Sequence, residues 1–266
     1  MSAMYEHYQH LDFGYRGRIL TVTMNRPEVR NAANVRMHRE LSTVFRDVAR
    51  DDACDVVVLT GAGGAFSSGG DIVAMQEKID DRSKWVDTVE EAREIFTGML
   101  ELPKPLIARI NGAATGLGAT LAVYADIAVA AQSAVIGDPH VKVGLVAGDG
   151  GALMWPLLVG FQKAKELLFL GDNISAEEAA RIGLIGHCVA DDALDDKVYG
   201  LAERLCKIAP LALRWTKRTI NHTIRQLAQG TMENGLLMET LSQMTRDHGE
   251  AVQAFGEKRP AVFKGR

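Results

Sequence analysis

The chain has 266 residues, 47% of them hydrophobic and 24% charged, with a formal net charge of −4. That balance excludes a global basic field for nucleic acid. It fits an ordinary globular protein, long enough to bury roughly three quarters of its unfolded surface without staples. Cys54, Cys188 and Cys206 are scattered without C-x-x-C spacing and read as reduced thiols of a cytoplasmic protein, and the opening MSAMYEHYQH lacks the apolar run of a secretory signal.

Along the chain, HLDFGYRGRILTVTMN reads as a hairpin, two alternating runs around a glycine-bearing turn. NVRMHRELSTVFRDVARD places Val35, Leu41, Val44, Phe45 and Val48 near helical spacing. CDVVVLTG, KPLIARING and ADIAVAA are short apolar runs that suit buried parallel strands. Residues 76–94, QEKIDDRSKWVDTVEEARE, are charged and irregular; they read either as a solvated helix face or as a mobile wall over a site. Residues 116–131 form the most apolar stretch, but Asp126 interrupts it and it is too short to span a bilayer. Ser175 and Glu178 have capping-box spacing before a short helix ending near Gly183, a strand follows, and Asp191 or Asp192 starts the next helix. The pattern is almost wholly helical thereafter. We therefore expect an α/β core over residues 1–199 and a helical region over 200–266, whose apolar Leu236, Leu237, Met238, Leu241 and Met244 need a partner surface.

Two segments carry the chemistry. LTGAGGAFSSGGDI (59–72) and INGAATGLGATLAVYAD (110–126) each follow a strand and lead into a helix. Glycines let a ligand approach the main chain, and a helix N-terminus presents unpaired N–H groups with partial positive charge. Two such groups converging on one point would hold a developing oxyanion. GLGATL lacks the third glycine of a dinucleotide fingerprint, and no P-loop, G-x-S-x-G elbow or zincin histidine pair occurs, so neither cofactor nor metal is expected.

In this order and separation the two turns, with MNRPEVRNAAN, VGLVAGDGGALMWPLLVG, ISAEEAARIGLIGHCV and AFGEKRPAVFKG, make the chain resemble the enoyl-CoA hydratase/isomerase (crotonase) family over nearly its whole length. The resemblance implies an α/β spiral of ββα units with a C-terminal helical trimerisation region, a homotrimer or dimer of trimers, and an acyl-CoA thioester as substrate. It puts the two oxyanion-binding amides on Gly70 and Leu117. It puts coenzyme A against Glu28, Val29, Arg30 and Ala32, the backbone of Ala65, Ser68, Asp71 and Ile72, and the basic tail at Lys258, Arg259 and Lys264.

The chain departs from the hydratase pattern at both glutamates, replaced here by Thr120 and His140. Imidazole is the commonest general acid–base side chain, whereas a threonine hydroxyl needs an activator. Asp149, nine residues after His140, reads as a helix cap or as the group that orients the imidazole. The expectation is an enzyme that stabilises a thioester enolate, with Gly70, Leu117, Thr120, His140 and Asp149 in its catalytic site. Two alternatives stand beside it: an acyl-CoA-binding protein that has lost its chemistry, and a hydrolase in which His140 activates Ser67 or Ser68.

Overall fold

A computed structural model describes residues 3–266. The expected hairpin is present: β1 (Leu11–Arg16) pairs antiparallel with β2 (Ile19–Met24). Helix α1 (Val35–Ala49) follows, capped by Asn34, whose side chain accepts from the Met37 amide. The chain then repeats one unit. Strand β3 (Val56–Gly61) continues into β4 (Ala65–Ser67), followed by α2 (Ile72–Asp80) and α3 (Lys84–Glu101). Next, β5 (Leu106–Ile110) continues into β6 (Ala113–Thr115) and α4 (Leu117–Tyr124). In the third unit β7 (Ile127–Ala131) continues into β8 (Val135–Gly137), followed by α5 (Gly151–Val159) and α6 (Phe161–Leu170).

Each unit sends one strand to each of two sheets. The larger has the order β1-β2-β3-β5-β7-β10 and is parallel from β2 onward. The smaller is β4-β6-β8-β9, with β9 (Ile174–Ser175) antiparallel to β8. Helix α7 (Ala176–Arg181) follows, with Ser175 accepting from the Glu178 amide as its cap, and β10 (His187–Val189) closes the larger sheet. This is the spiral of ββα units that the sequence implied. A strand buried on both faces needs apolar residues at every position, which is why all six residues of β3 are buried.

Helix α8 (Leu194–Leu205) lays Leu194, Val198 and Ala202 over Ile19, Val56, Val58, Ile107 and Val129 on one face of the larger sheet. The expected division at 199/200 thus falls inside a helix that covers the core. Beyond it run α9 (Pro210–Gln243) and α10 (Arg246–Gly256).

The segment 76–94 comprises the end of α2, a break at residues 81–83 and the first half of α3, so the helix-face reading holds over most of it. Trp85, Ala92, Ile95, Phe96, Met99 and Leu100 of α3 are buried, and their spacing makes it amphipathic against α1. The apolar half of that pattern lies mostly beyond residue 94, outside the window where the charges dominate.

Candidate active site

Asn31 organises the first glycine turn. It is fully buried in the left-handed region at φ 57°, and its amide donates to Ala62 O and Ala65 O, both at 2.9 Å. Its Oδ1 accepts from the Arg26 amide at 2.9 Å, and its own carbonyl accepts from Ser67 Oγ at 2.9 Å. Beside it, Ala33 forms a parallel bridge to Gly70, donating to Gly69 O at 2.8 Å and accepting from Asp71 N at 3.1 Å. In a parallel bridge both bonds go to the residues flanking the partner, so the Gly70 amide is not consumed and points away from Ala33.

The second turn meets the first. Gly116 takes φ +54°, and Leu117 opens α4, so its N–H has no acceptor one turn back. A Cβ on Gly69, itself at φ +91°, would lie 2.7 Å from Thr115 O and 3.5 Å from Leu117 N. The two backbones therefore pack in direct contact, and only residues without a side chain permit it.

The segment 137–151 supplies side chains to the same place. A Cβ on Gly116 would lie 3.8 Å from His140 Cε1, so the imidazole sits against the second turn. His140 Nδ1 is hydrogen-bonded to Asp138 Oδ1, while Nε2 faces Asp149 Oδ2 at 3.6 Å. Thr120 Oγ1 lies 3.3 Å from Asp149 Oδ1 and 3.3 Å from Gly116 O. Thr120, Asp138 and Asp149 are buried, and the His140 side chain is 11% exposed. Glu239 of α9 also reaches this cluster: a Cβ on Gly148 would meet Glu239 Cβ at 2.8 Å.

Charge fixes the proton inventory. Burial opposes the imidazolium, but the charges of Asp138 and Asp149 and the hydrogen bond to Asp138 outweigh it and hold His140 well above its ordinary value. Burial raises Asp149, reinforced by Asp138 and opposed by His140 and the Thr120 hydrogen bond. At neutral pH the histidine therefore enters as a proton donor, and Asp149 is a stronger base than a surface carboxylate.

Sequence reasoning singled out Thr120, His140 and Asp149, and the structure brings them together. Asp149 also accepts from the Gly151 amide that opens α5, which is the capping role the sequence suggested, although the cap position itself is Gly150. Sequence reasoning missed Asp138 and Glu239. Asp138 could have been found from its i,i+2 spacing to His140; Glu239, ninety-nine residues from His140 in a polar helix, had no local signal. The serines lie elsewhere. Ser67 Oγ donates to Asn31 O and Ser68 Oγ to Val29 O at 3.3 Å, so both hydroxyls are engaged by main-chain carbonyls.

Glu28 and Val29 form a short 3-10 turn, Arg30 follows at φ 55°, and Ser68 N donates to Arg30 O at 3.0 Å. The turn thus lies along the segment holding Ala65, Asp71 and Ile72, with Ala32 buried behind it. Arg26 was not foreseen: it binds Asp71 Oδ2 at 3.0 Å, and Asp71 caps α2 through the Val73 amide. Both line an open groove of about 550 Å³ with Val29, Val73 and Ala74. Lys258 stands exposed beyond α10, but Arg259 is paired with Glu250 and Glu257 and is not the free cation expected. Asp138, His140 and Asp149 each offer one ligand atom within 4.8 Å of the others. Each imidazole nitrogen already faces a carboxylate, so a proton balances the charge that a cation would. No helix among the described residues is long and apolar enough to cross a membrane.

The family model described as Enoyl-CoA hydratase/isomerase matches residues 15–266. The chain belongs to that family. It is 33% identical to the 1,2-epoxyphenylacetyl-CoA isomerase of Escherichia coli, over 93% of this chain and 95% of that protein. Among solved structures, an enoyl-CoA hydratase/isomerase from Mycobacterium paratuberculosis superposes with a TM-score of 0.90 at 34% identity, covering 94% of this chain and 99% of that one. A β-diketone hydrolase from the cyanobacterium Anabaena sp. PCC 7120, bound to (S)-3-oxocyclohexyl acetic acid, superposes with a TM-score of 0.85 at 26% identity, covering 92% and 98%.

Proposed function

We propose that this member of the family processes acyl-CoA thioesters by stabilising an enolate, with the amides of Gly70 and Leu117 as the oxyanion hole. The observation that carries the reading is the position of His140, its ring against Gly116, one nitrogen on Asp138 and the other facing Asp149. Asp149 takes a proton from the carbon next to the thioester carbonyl, the charge moves to the thioester oxygen, and the His140 imidazolium returns a proton elsewhere on the acyl group. Thr120 orients Asp149. Atoms balance without added water, so isomerisation follows more directly than hydration from this residue set.

Coenzyme A lies along Glu28–Arg30 and the edge of the first turn, with Lys258 of a neighbouring subunit near its phosphates. No further cofactor enters the scheme. The exposed Leu237, Met238 and Leu241 of α9, with Met244 just past its end, support self-association, and our reading of the assembly is a homotrimer or a dimer of trimers, placed in the cytoplasm. A second reading, hydrolysis of a C–C bond between two carbonyls, is favoured by the His–Asp pairing and by the likeness to the β-diketone hydrolase.

One experiment separates these. Purified protein is offered a panel of acyl-CoAs in water enriched in deuterium or heavy oxygen, and products are weighed by mass spectrometry. Deuterium without oxygen supports isomerisation, heavy oxygen in a cleaved acid supports hydrolysis, and no turnover of any ester defeats the enzymatic reading.

A further inference from the structure

The proposed proton transfers leave part of the buried polar surface unused. Tyr124 Oη and Glu239 Oε2 are buried without a hydrogen-bond partner, although Tyr124 as a whole is only 5% exposed. Both lie against one three-residue turn. A Cβ on Gly148 would meet Glu239 Cβ at 2.8 Å, and a Cβ on Gly150 would meet Tyr124 Oη at 2.8 Å. Asp149 is the residue between them. An unsatisfied buried hydroxyl or carboxyl is costly, so two of them beside one turn call for a partner. A hydrocarbon acyl chain would complete neither.

Resting on the acyl-CoA reading above, we propose that the site takes a short 3-oxoacyl thioester, whose second carbonyl oxygen is held by Tyr124 and Glu239. The chemistry of the two groups selects a ketone. A phenol donates, and burial raises the Tyr124 hydroxyl, so it stays protonated. Burial and the Asp149 charge push Glu239 up to about 8, against His140 and Lys78, so near neutral pH its carboxyl carries a proton to donate. A carbonyl oxygen accepts two such bonds and asks for no acceptor in return. The position follows from His140: the turn is next to the imidazole that abuts Gly116, so the second oxygen lies close to the β-carbon of an acyl group whose thioester is at Leu117. A carboxylate in the same place would face Asp138 and Asp149. The imidazolium of His140 is already held between those two carboxylates, and the next cation, Lys78, stacks on Trp85 at 4.7 Å and is shared with Glu77, Glu91 and Glu239.

Four-carbon esters isolate the effect: butyryl-CoA, acetoacetyl-CoA and succinyl-CoA, titrated calorimetrically into the wild-type oligomer with free coenzyme A as control. Acetoacetyl-CoA should bind roughly tenfold tighter than butyryl-CoA, and succinyl-CoA weakest, as expected for one or two buried hydrogen bonds gained against a charge repelled. Tyr124→Phe and Glu239→Leu should each shrink the acetoacetyl-to-butyryl ratio, and the double variant should bring it close to one. Melting curves identify a variant that has lost its fold, and Tyr124→Phe, which keeps shape, then carries the test alone. Equal affinity for butyryl- and acetoacetyl-CoA overturns the proposal but spares the acyl-CoA reading, as does a ratio untouched by Tyr124→Phe. Failure of free coenzyme A and of every ester to bind overturns both.

Discussion

The two sides of the candidate site are built from different materials. The side made by residues 59–72 and 110–126 offers main-chain amides, held by Asn31, by the Ala33–Gly70 bridge and by contact between Gly69 and Gly116. The facing side offers side chains, Asp138, His140, Asp149 and Glu239, drawn from a loop and a distant helix. Backbone donors can serve any reaction that passes through an enolate. Side chains decide where the protons go, so one frame can host several reactions while the facing residues change. On the proposed reading, Thr120 and His140 stand where the resemblance puts the hydratase glutamates while the backbone frame is kept, which would be an instance of that division.

The sharpest test of the side-chain half is His140→Gln, which preserves size and some hydrogen bonding but removes the proton. Turnover of the true substrate should fall ~10²–10⁴-fold with little change in coenzyme A affinity. Wild-type activity should be lost on the acid side as pH falls through the Asp149 value, which burial raises above the ordinary carboxylate range. On the alkaline side it should be lost as pH rises through the His140 value, held above the usual imidazole range. The variant should lack the alkaline limb. Full activity in His140→Gln would make the stretch scaffolding.

The backbone half breaks differently. Gly69→Ala puts a methyl 2.7 Å from Thr115 O at φ +91°, so the turn must move and carry the Leu117 amide with it. We expect ~10²–10³-fold lower turnover, the usual cost of one oxyanion donor, together with a lower melting temperature. Normal turnover with a lowered melting temperature would separate the turn's structural role from catalysis.

The same contrast explains what was legible in sequence. Backbone sites write themselves in glycine, so both turns, their flanking strands and their helices could be placed without coordinates. The three-residue strands β4, β6 and β8 were not seen, because a period of two needs more residues to register. Asp138 and Glu239 were not seen because contact between side chains on separate elements leaves no spacing to read. Over residues 76–94 the sequence left a helix face and a mobile wall both open, because the apolar stripe of α3 has Ile95, Phe96 and Met99 just past that window.

Glu239 gives a smaller, thermodynamic test. A carboxyl raised from 4.5 to about 8 stays protonated in the folded protein over a range where the unfolded chain has ionised. Its presence therefore lowers stability progressively as pH rises from about 4.5 to 8, with no further loss above that. Charged neighbours on more than one element also act on it: Asp149, His140 and Asp138 from the loop and Lys78 from α2. The measurement is accordingly a difference. Glu239→Leu should match wild type in melting temperature near pH 4 and exceed it by a few degrees near pH 8. Equal melting at both pH values would show that the carboxyl is solvated.

The smallest effect concerns coenzyme A, where backbone and charge again act side by side. Arg30 is exposed and makes no ion pair among the described residues, whereas Arg36 is tied to Glu40 at 2.6 Å and Arg26 to Asp71 at 3.0 Å. An exposed cation near a phosphate contributes little in water and is screened by salt, since the Debye length falls from ~10 Å at 0.1 M to ~3 Å at 1 M. Arg30→Ala should thus weaken free coenzyme A about two- to fivefold at low ionic strength, and the difference should vanish near 1 M salt. Arg36→Ala should change affinity less, because its guanidinium is already neutralised. Arg259→Ala should behave like Arg36→Ala, since Glu250 and Glu257 hold that guanidinium within its own subunit. Isothermal titration at two salt concentrations measures all three. A salt-independent affinity in wild type would mean that the ligand is held at this edge by backbone and apolar contacts alone, and the charge-based half of the coenzyme A reading would fall.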